Sequence, residues 1–362
     1  MIKRDIPKIR FYSYQGAWTE KRIADMVKIS AGGDVDKIKL KESGKYPVVA
    51  NALTNKGIIG FYDDFKVNAP AVTVTGRGDV GYAVARHENF TPVVRLLTLQ
   101  SENIDVDYLE NQINSMRILN ESTGVPQLTA PQLGNYKMYH PEIDEQSAIG
   151  SLLRTLDDLL ASYKDNLANY QSLKETMLSK MFPKAGQTVP EIRLAGFEGE
   201  WERNSLSDVC TINSGRDYKH LKDGDIPVYG TGGYMLSVNE KLSDEDAIGI
   251  GRKGTIDKPY LLLAPFWTVD TLFYVTCKVG YDLNYLFLIF QKVRWKKFDE
   301  STGVPSLSKK TIEKVVSKFP SLPEQQAIGA YFSNLDNLIN SHQEKISQLE
   351  TLKKKLLQDM FI

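Results

Sequence analysis

Two stretches of the chain carry apolar residues at alternating steps of four and three. The first runs Ile149, Leu153, Leu156, Leu160, Tyr163, Leu167, Tyr170, Met177, Met181. The second runs Ile328, Phe332, Leu335, Ile339, Ile346, Leu349, Leu356, Met360. A repeat of 3.5 residues held over about five heptads predicts a coiled-coil seam, not the broader face of a globular helix. Lys174 and Lys353 fall at the same seam position, and His342 falls at another. Polar seam residues either fix the register or lay long stems along the seam edge. At ~1.5 Å per residue each helix forms a rod of about 57 Å.

Between and before these helices the pattern changes period. Tyr46-Pro-Val-Val-Ala and Ala71-Val-Thr-Val-Thr read as strands, because β-branched residues lie between turn formers. Asp105–Ile118 and Asp282–Lys292 read as helices. Ile226-Pro-Val-Tyr and Ala247-Ile-Gly-Ile repeat the two strands later in the chain. The fold class expected is mixed α/β (α+β), as globular module, helix, globular module, helix. The boundaries expected are 1–143, 144–182, 183–323 and 324–362. Pro183-Lys-Ala-Gly-Gln-Thr-Val-Pro190 ends the first helix and reads as an exposed joint.

The two halves are copies. Residues 145–182 and 324–361 agree at 14 of 38 positions. Glu121-Ser-Thr-Gly-Val-Pro126-x-Leu128 returns as Glu300-Ser-Thr-Gly-Val-Pro305-x-Leu307. Pro7-x-Ile9-Arg10 with Trp18 returns as Pro190-x-Ile192-Arg193 with Trp201. Domain termini usually lie close together, so the second helix should run back alongside the first. The expected result is an antiparallel pair with a module at each end and an internal pseudo-two-fold repeat. The alternative is that each seam pairs with another chain. The Ser-Thr-Gly-Val-Pro-x-Leu segments read as structural loops that dock each module against its helix, since Gly and Pro set backbone shape.

Composition narrows the function. Hydrophobic content of 42% and charged content of 25% are ordinary for a soluble protein. The formal net charge is zero, which argues against binding nucleic acid over a broad basic face and leaves local patches open. Cys210 and Cys277 have neither metal nor disulfide spacing, and the N-terminus lacks an apolar signal core. Apolar runs such as Tyr285–Phe290 are too short for a bilayer, so a reduced, cytoplasmic protein is expected.

Signs of catalysis are weak. His87, His140, His220 and His342 are scattered, and no phosphate loop or nucleophile elbow is found. Asp244-Glu245-Asp246 reads as a solvated loop. Gly76-Arg-Gly-Asp-Val-Gly81 and Gly249-Ile-Gly-Arg-Lys-Gly254 fit Gly-x-Gly-x-x-Gly, yet strand-like residues follow where a dinucleotide site needs a helix. What these turns share is Gly-Arg, at Gly76-Arg77 and Gly251-Arg252, the latter followed by Lys253. Arginine projected from a Gly turn suits guanine O6/N7 or phosphate, so Arg77, Arg252 and Lys253 are candidate DNA contacts. The plainer reading is a surface turn with its arginine on a carboxylate. Lys296 and Lys297, beside Trp295 on a predicted helix, are further candidates, against a solvated face with Trp295 in the core.

Taken in order, these motifs resemble the specificity subunit of type I restriction-modification enzymes over the whole chain. The resemblance rests on the repeat and on Ser-Thr-Gly-Val-Pro ahead of Glu145-Gln-x-Ala-Ile-Gly150 and Glu324-Gln-x-Ala-Ile-Gly329. It rests also on the helix ends Met181-Phe182 and Met360-Phe361, and on the openings Gly16-x-Trp18 and Phe197-Glu-Gly-Glu-Trp201. It implies two target recognition domains, each reading half of a bipartite site on double-stranded DNA, with the helices as spacers. It implies docking of two methyltransferase subunits, joined by nuclease/translocase subunits. S-adenosylmethionine, ATP and magnesium would belong to those partners, making this chain a non-catalytic subunit with no cofactor of its own. The family supplies no short DNA-reading motif to carry onto particular residues. The modules differ most in their middles, so an asymmetric site is expected. Half-site centres about one turn apart, ~34–36 Å, fit the rod, whereas two turns overreach it. The rival functions are a stand-alone sequence-specific DNA-binding protein, a DNA-modifying enzyme, and a coiled-coil adaptor for proteins.

Overall fold

A computed structural model describes residues 5–118 and 125–362. They divide into two units: Met1–Asp165 with Glu344–Ile362, and Asn166–Gln343. The first unit is built around Ala71–Val74, whose four residues are all buried, as expected of a strand covered on both faces. It is central in an antiparallel four-stranded sheet ordered Lys28–Ala31, Leu97–Gln100, Ala71–Val74, Ala83–Arg86. Tyr46–Val49 pairs antiparallel with Ile58–Tyr62 and parallel with Thr91–Pro92 in a three-stranded sheet. Thr19–Arg22 and Lys137–His140 pair and tie the two ends of the module together. The helix Val106–Ser115 starts at Asp105, whose carboxylate accepts from Tyr108 N–H at 2.9 Å, and it buries Tyr108, Leu109 and Ile113.

The second unit has the same topology. Its four-stranded sheet is ordered Cys210–Ser214, Leu272–Cys277, Ala247–Gly251, Tyr260–Leu262. Its three-stranded sheet is Gly233–Val238, Asp223–Gly230, Trp267–Thr268. Glu202–Ser205 pairs with Val316–Phe319, and Asp282 caps the helix Leu283–Lys292. Cys210 and Cys277 stand opposite each other on paired strands as free thiols. Burial pushes both up to about 12, so both stay neutral.

Copy-specific packing differs inside this frame. Counting from the caps Asp105 and Asp282, Glu110 takes the place of Phe287. Burial raises the Glu110 carboxyl above its ordinary value, and nearby Asp157 and Asp107 add to the rise. A raised folded value favours the protonated form, so the ionised group costs stability at neutral pH, and that cost fades as pH falls through the folded value. Glu110→Gln should therefore raise the unfolding midpoint at pH 7. In a denaturant series the gap between variant and parent should close on acidification.

The long helices span Ile143–Lys180 and Leu322–Met360. In the first unit Lys353 pairs with Asp157, and Lys164 with Glu350 at 2.7 Å. In the second unit Lys174 pairs with Asp336 at 2.6 Å, and Tyr170 meets His342 at 5.2 Å between ring centres. Within each unit, numbers rise along one helix as they fall along the other, so the pair is antiparallel. Both seam lysines reach an aspartate of the opposite helix, an arrangement that ties each lysine to one register.

Each unit is closed by both helices. The beginning of the first long helix and the end of the second lie in the first unit, where Ile149, Leu153, Met360 and Phe361 share a core with Trp18 and Tyr108. In the second unit Met181 and Phe182 join Trp201, Tyr285, Ile328 and Phe332. The Phe182 ring stacks on Tyr285 at 5.5 Å, and Phe361 lies 5.6 Å from Tyr108.

Candidate nucleic-acid interface

The repeated motifs form a frame that holds each module on its helices. Arg10 forks onto Glu145 at 2.6 and 2.7 Å and also donates to Gly16 O. Arg193 forks onto Glu324 at 2.7 and 2.6 Å and donates to Gly199 O at 2.7 Å. Both glutamates are buried, and their hydrogen bonds raise each arginine further above its ordinary value. Gln146 accepts from Asp105 N–H at 3.2 Å and donates to Pro141 O at 2.9 Å, and Gln325 does the same with Asp282 and Pro320 at 3.1 and 2.9 Å. A Cβ on Gly150 would strike the Asp105 carboxylate, and one on Gly329 the Asp282 carboxylate. The Glu-Gln-x-Ala-Ile-Gly repeats are therefore the seats on which the capped helices Val106–Ser115 and Leu283–Lys292 rest.

On this frame stand the Gly turns, and their equivalence differs from the one suggested by shared letters. Val72, Thr73 and Val74 face Leu99, Thr98 and Leu97. Ile248, Gly249 and Ile250 face Val275, Tyr274 and Phe273 in the same way. Past the strands, Leu128 N–H donates to Gly76 O at 2.9 Å and Gly78 N–H to Pro126 O at 3.1 Å. Leu307 N–H donates to Arg252 O at 3.0 Å and Gly254 N–H to Pro305 O at 2.8 Å. Bridges join Arg77 to Gln127 and Lys253 to Ser306. Arg77 is thus the counterpart of Lys253, and Arg252 that of Gly76. Two Gly-Arg pairs in the sequence are offset by one residue in the fold. The Pro-x-Leu ends of the repeated loop back these turns directly, and Leu128 and Leu307 then enter the cores that the long helices share. Glu121–Gly124 lie outside the described residues.

The turns lead to strands Ala83–Arg86 and Tyr260–Leu262, so neither opens a helix as a dinucleotide loop would. Arg77, Arg252 and Lys253 are exposed. Arg252 lies over the Phe273 ring at 5.8 Å. Ser306, Ser308 and Lys309 line the shallow depression beside this pair. Lys296 and Lys297 sit on a 3₁₀ turn, Trp295–Phe298, and not on the predicted helix, which ends at Lys292. Trp295 is buried and donates to Phe290 O at 2.8 Å. Lys296 pairs with Asp257 at 2.8 Å and Lys297 is exposed. Lys292 is structural: it donates to Leu178 O and covers the Phe182 ring at 4.6 Å.

A second turn beside Arg77 has no sequence signature. Val93–Leu96 closes with Leu96 N–H donating to Val93 O at 3.1 Å, and its third residue, exposed Arg95, has φ +68°. Gly76 packs so closely on Arg95 O that a Cβ would not fit between them. Asn51 links the two turns, accepting from Gly76 N–H at 2.8 Å and donating to Val94 O at 3.0 Å. Among the described residues, no group of His, Cys, Asp or Glu is arranged to hold a metal ion, and no helix is long and apolar enough to cross a membrane.

Comparison with known proteins agrees with this duplicated architecture. The family model of the type I restriction modification DNA specificity domain matches twice, over residues 15–169 and 198–351. The chain is 22% identical to the type I restriction enzyme MjaVIII specificity subunit of Methanocaldococcus jannaschii, covering 94% of this chain and 91% of the relative. It is 21% identical to a putative type I specificity subunit of Mycoplasma pneumoniae, covering 92% and 94%. The crystal structure of a type I restriction-modification S subunit from M. genitalium superposes with a TM-score of 0.75 at 19% identity, covering 99% of both chains. With two matched copies of the domain set on paired helices, the chain belongs to the DNA specificity subunit family of type I restriction-modification systems.

Proposed function

We propose that each module reads one half of an asymmetric bipartite site on double-stranded DNA, as the non-catalytic subunit of a type I restriction-modification complex. The helices set the gap and dock two methyltransferase subunits, and nuclease/translocase subunits join the assembly. S-adenosylmethionine, ATP and magnesium belong to those partners. The observation that carries this reading is the pair of Gly turns: one backbone frame presents Arg77 in the first unit and Lys253 in the second. Equal frames with unequal side chains suit two related but different half-sites. Zero net charge suits a chain that shares phosphate contact with partner subunits.

The test is to map methylated bases in a host carrying the chain with its methyltransferase partner, and in the same host without it. A split, asymmetric motif that disappears with the chain is expected. Modification that persists without the chain would refute the reading. Removing one heptad from both long helices shortens the spacer by about 10 Å, or ~3 bp of duplex. The gap in the motif should contract accordingly while both half-sites keep their sequence. An unchanged gap would remove the helices from the recognition mechanism.

A further inference from the structure

Arg95 occupies a place that disfavours any side chain with a Cβ. Positive φ at the third residue of a four-residue turn is the ordinary position of glycine or asparagine. The fold does not demand it. The equivalent turn of the second unit, Val269–Leu272, closes with Leu272 N–H donating to Val269 O at 3.0 Å. Its third residue, Thr271, is not among the positive-φ residues. An unstrained backbone therefore builds the same turn. In the first unit the arginine is held instead in the left-handed region, exposed, and among the described residues it makes neither an ion pair nor a side-chain hydrogen bond. Arg77 is likewise exposed and unpaired there. Asn51 ties the backbone of one turn to the other, so Arg77 and Arg95 stand on adjoining, linked turns. Asp79, exposed in the same Gly turn, is the nearest carboxylate in sequence, and its carbonyl is engaged by Thr75 Oγ1.

We propose that Arg77 and Arg95 form a two-arginine clamp on the DNA half-site of the first unit, each forking onto guanine O6/N7 or onto phosphate oxygens. The second unit carries Lys253 and Thr271 at the matching places, and its exposed Arg252 sits at the place of Gly76, beside Lys253 on the same turn. The two half-sites are therefore held unequally. The proposal rests on the reading of function given above, and its new content is the role of Arg95 and the asymmetry.

The test uses the full chain assembled with its methyltransferase partner and duplexes bearing the mapped site. Arg95→Gly places the residue best suited to φ +68° in the turn, so the unfolding midpoint should hold or rise. Affinity should nonetheless fall on the order of 10-fold or more. A loss confined to one base position in one half-site identifies a base contact. A loss equal for all sequences, with a shallower salt dependence, identifies a phosphate contact. Either supports the clamp. A parent complex that directs bipartite methylation, with an Arg95→Gly variant that binds and methylates as well as it does, overturns the clamp alone. A parent complex that modifies no bipartite site overturns both readings.

Discussion

Truncating Phe361 to alanine should cost the first unit about 3–5 kcal/mol, the range for removing a large aromatic from a core. The residue is 9% exposed, lies against Tyr108 and shares a core with Met360, Trp18 and Leu153. The second unit contains none of these residues, so its own opening should be unaffected. Hydrogen exchange read segment by segment separates the two. Protection should collapse in Ala71–Val74 and Val106–Ser115 and persist in Ala247–Gly251 and Leu283–Lys292. Phe182→Ala should produce the reverse pattern, because Phe182 packs on Trp201 and Tyr285. Equal losses in both units from either variant would contradict the assignment of each helix end to one core.

The second large effect concerns the buried carboxylates. Arg10→Ala leaves Glu145, 2% exposed, without its forked partner, and should destabilise the first unit by about 3 kcal/mol. Most of that loss is the cost of an uncompensated charge, so Glu145→Gln in the same chain should recover part of it. A double-mutant cycle on denaturant midpoints measures the coupling. Arg193 and Glu324 repeat the geometry, and a cycle there should give a similar coupling energy in the second unit. Additive single changes at either pair would mean that the fork is incidental. DNA recognition should weaken along with stability, since the helix seats and the Gly turns belong to one packed unit.

The long helices were legible because a 3.5-residue repeat is a local pattern, visible without knowing the partner. The strands Tyr46–Val49 and Ala71–Val74 were legible for a similar reason: β-branched residues bounded by turn formers. The seam lysines were visible as exceptions, but their aspartates were not, because Asp336 and Asp157 come from the opposite helix. The glutamate of Glu-Gln-x-Ala-Ile-Gly repeats faithfully, yet nothing local says that Arg10 or Arg193 folds onto it. At the interface, matching letters misled. Gly-Arg occurs twice, but the backbone pairing with Pro126–Leu128 and Pro305–Leu307 sets the register one residue away. Arg95 carried no signal because Val-Val-Arg-Leu resembles a strand, and the contacts that set its turn beside Gly76 come from Gly32 and Asn51, far away in sequence. Lys292 looked like part of a basic patch, and it instead caps the carbonyl end of a helix from far upstream.

Met360 and Phe361, at the far end of the second long helix, complete the core of the first module, and this affects how the protein is made. At a synthesis rate of roughly 5–20 residues per second, the stretch between Asp165 and Phe361 takes about 10–40 s to translate. Throughout that interval the nascent N-terminal module lacks Met360 and Phe361, and the apolar socket around Tyr108 stays open to other chains. The second module has no such wait, since Phe182 precedes it on the ribosome.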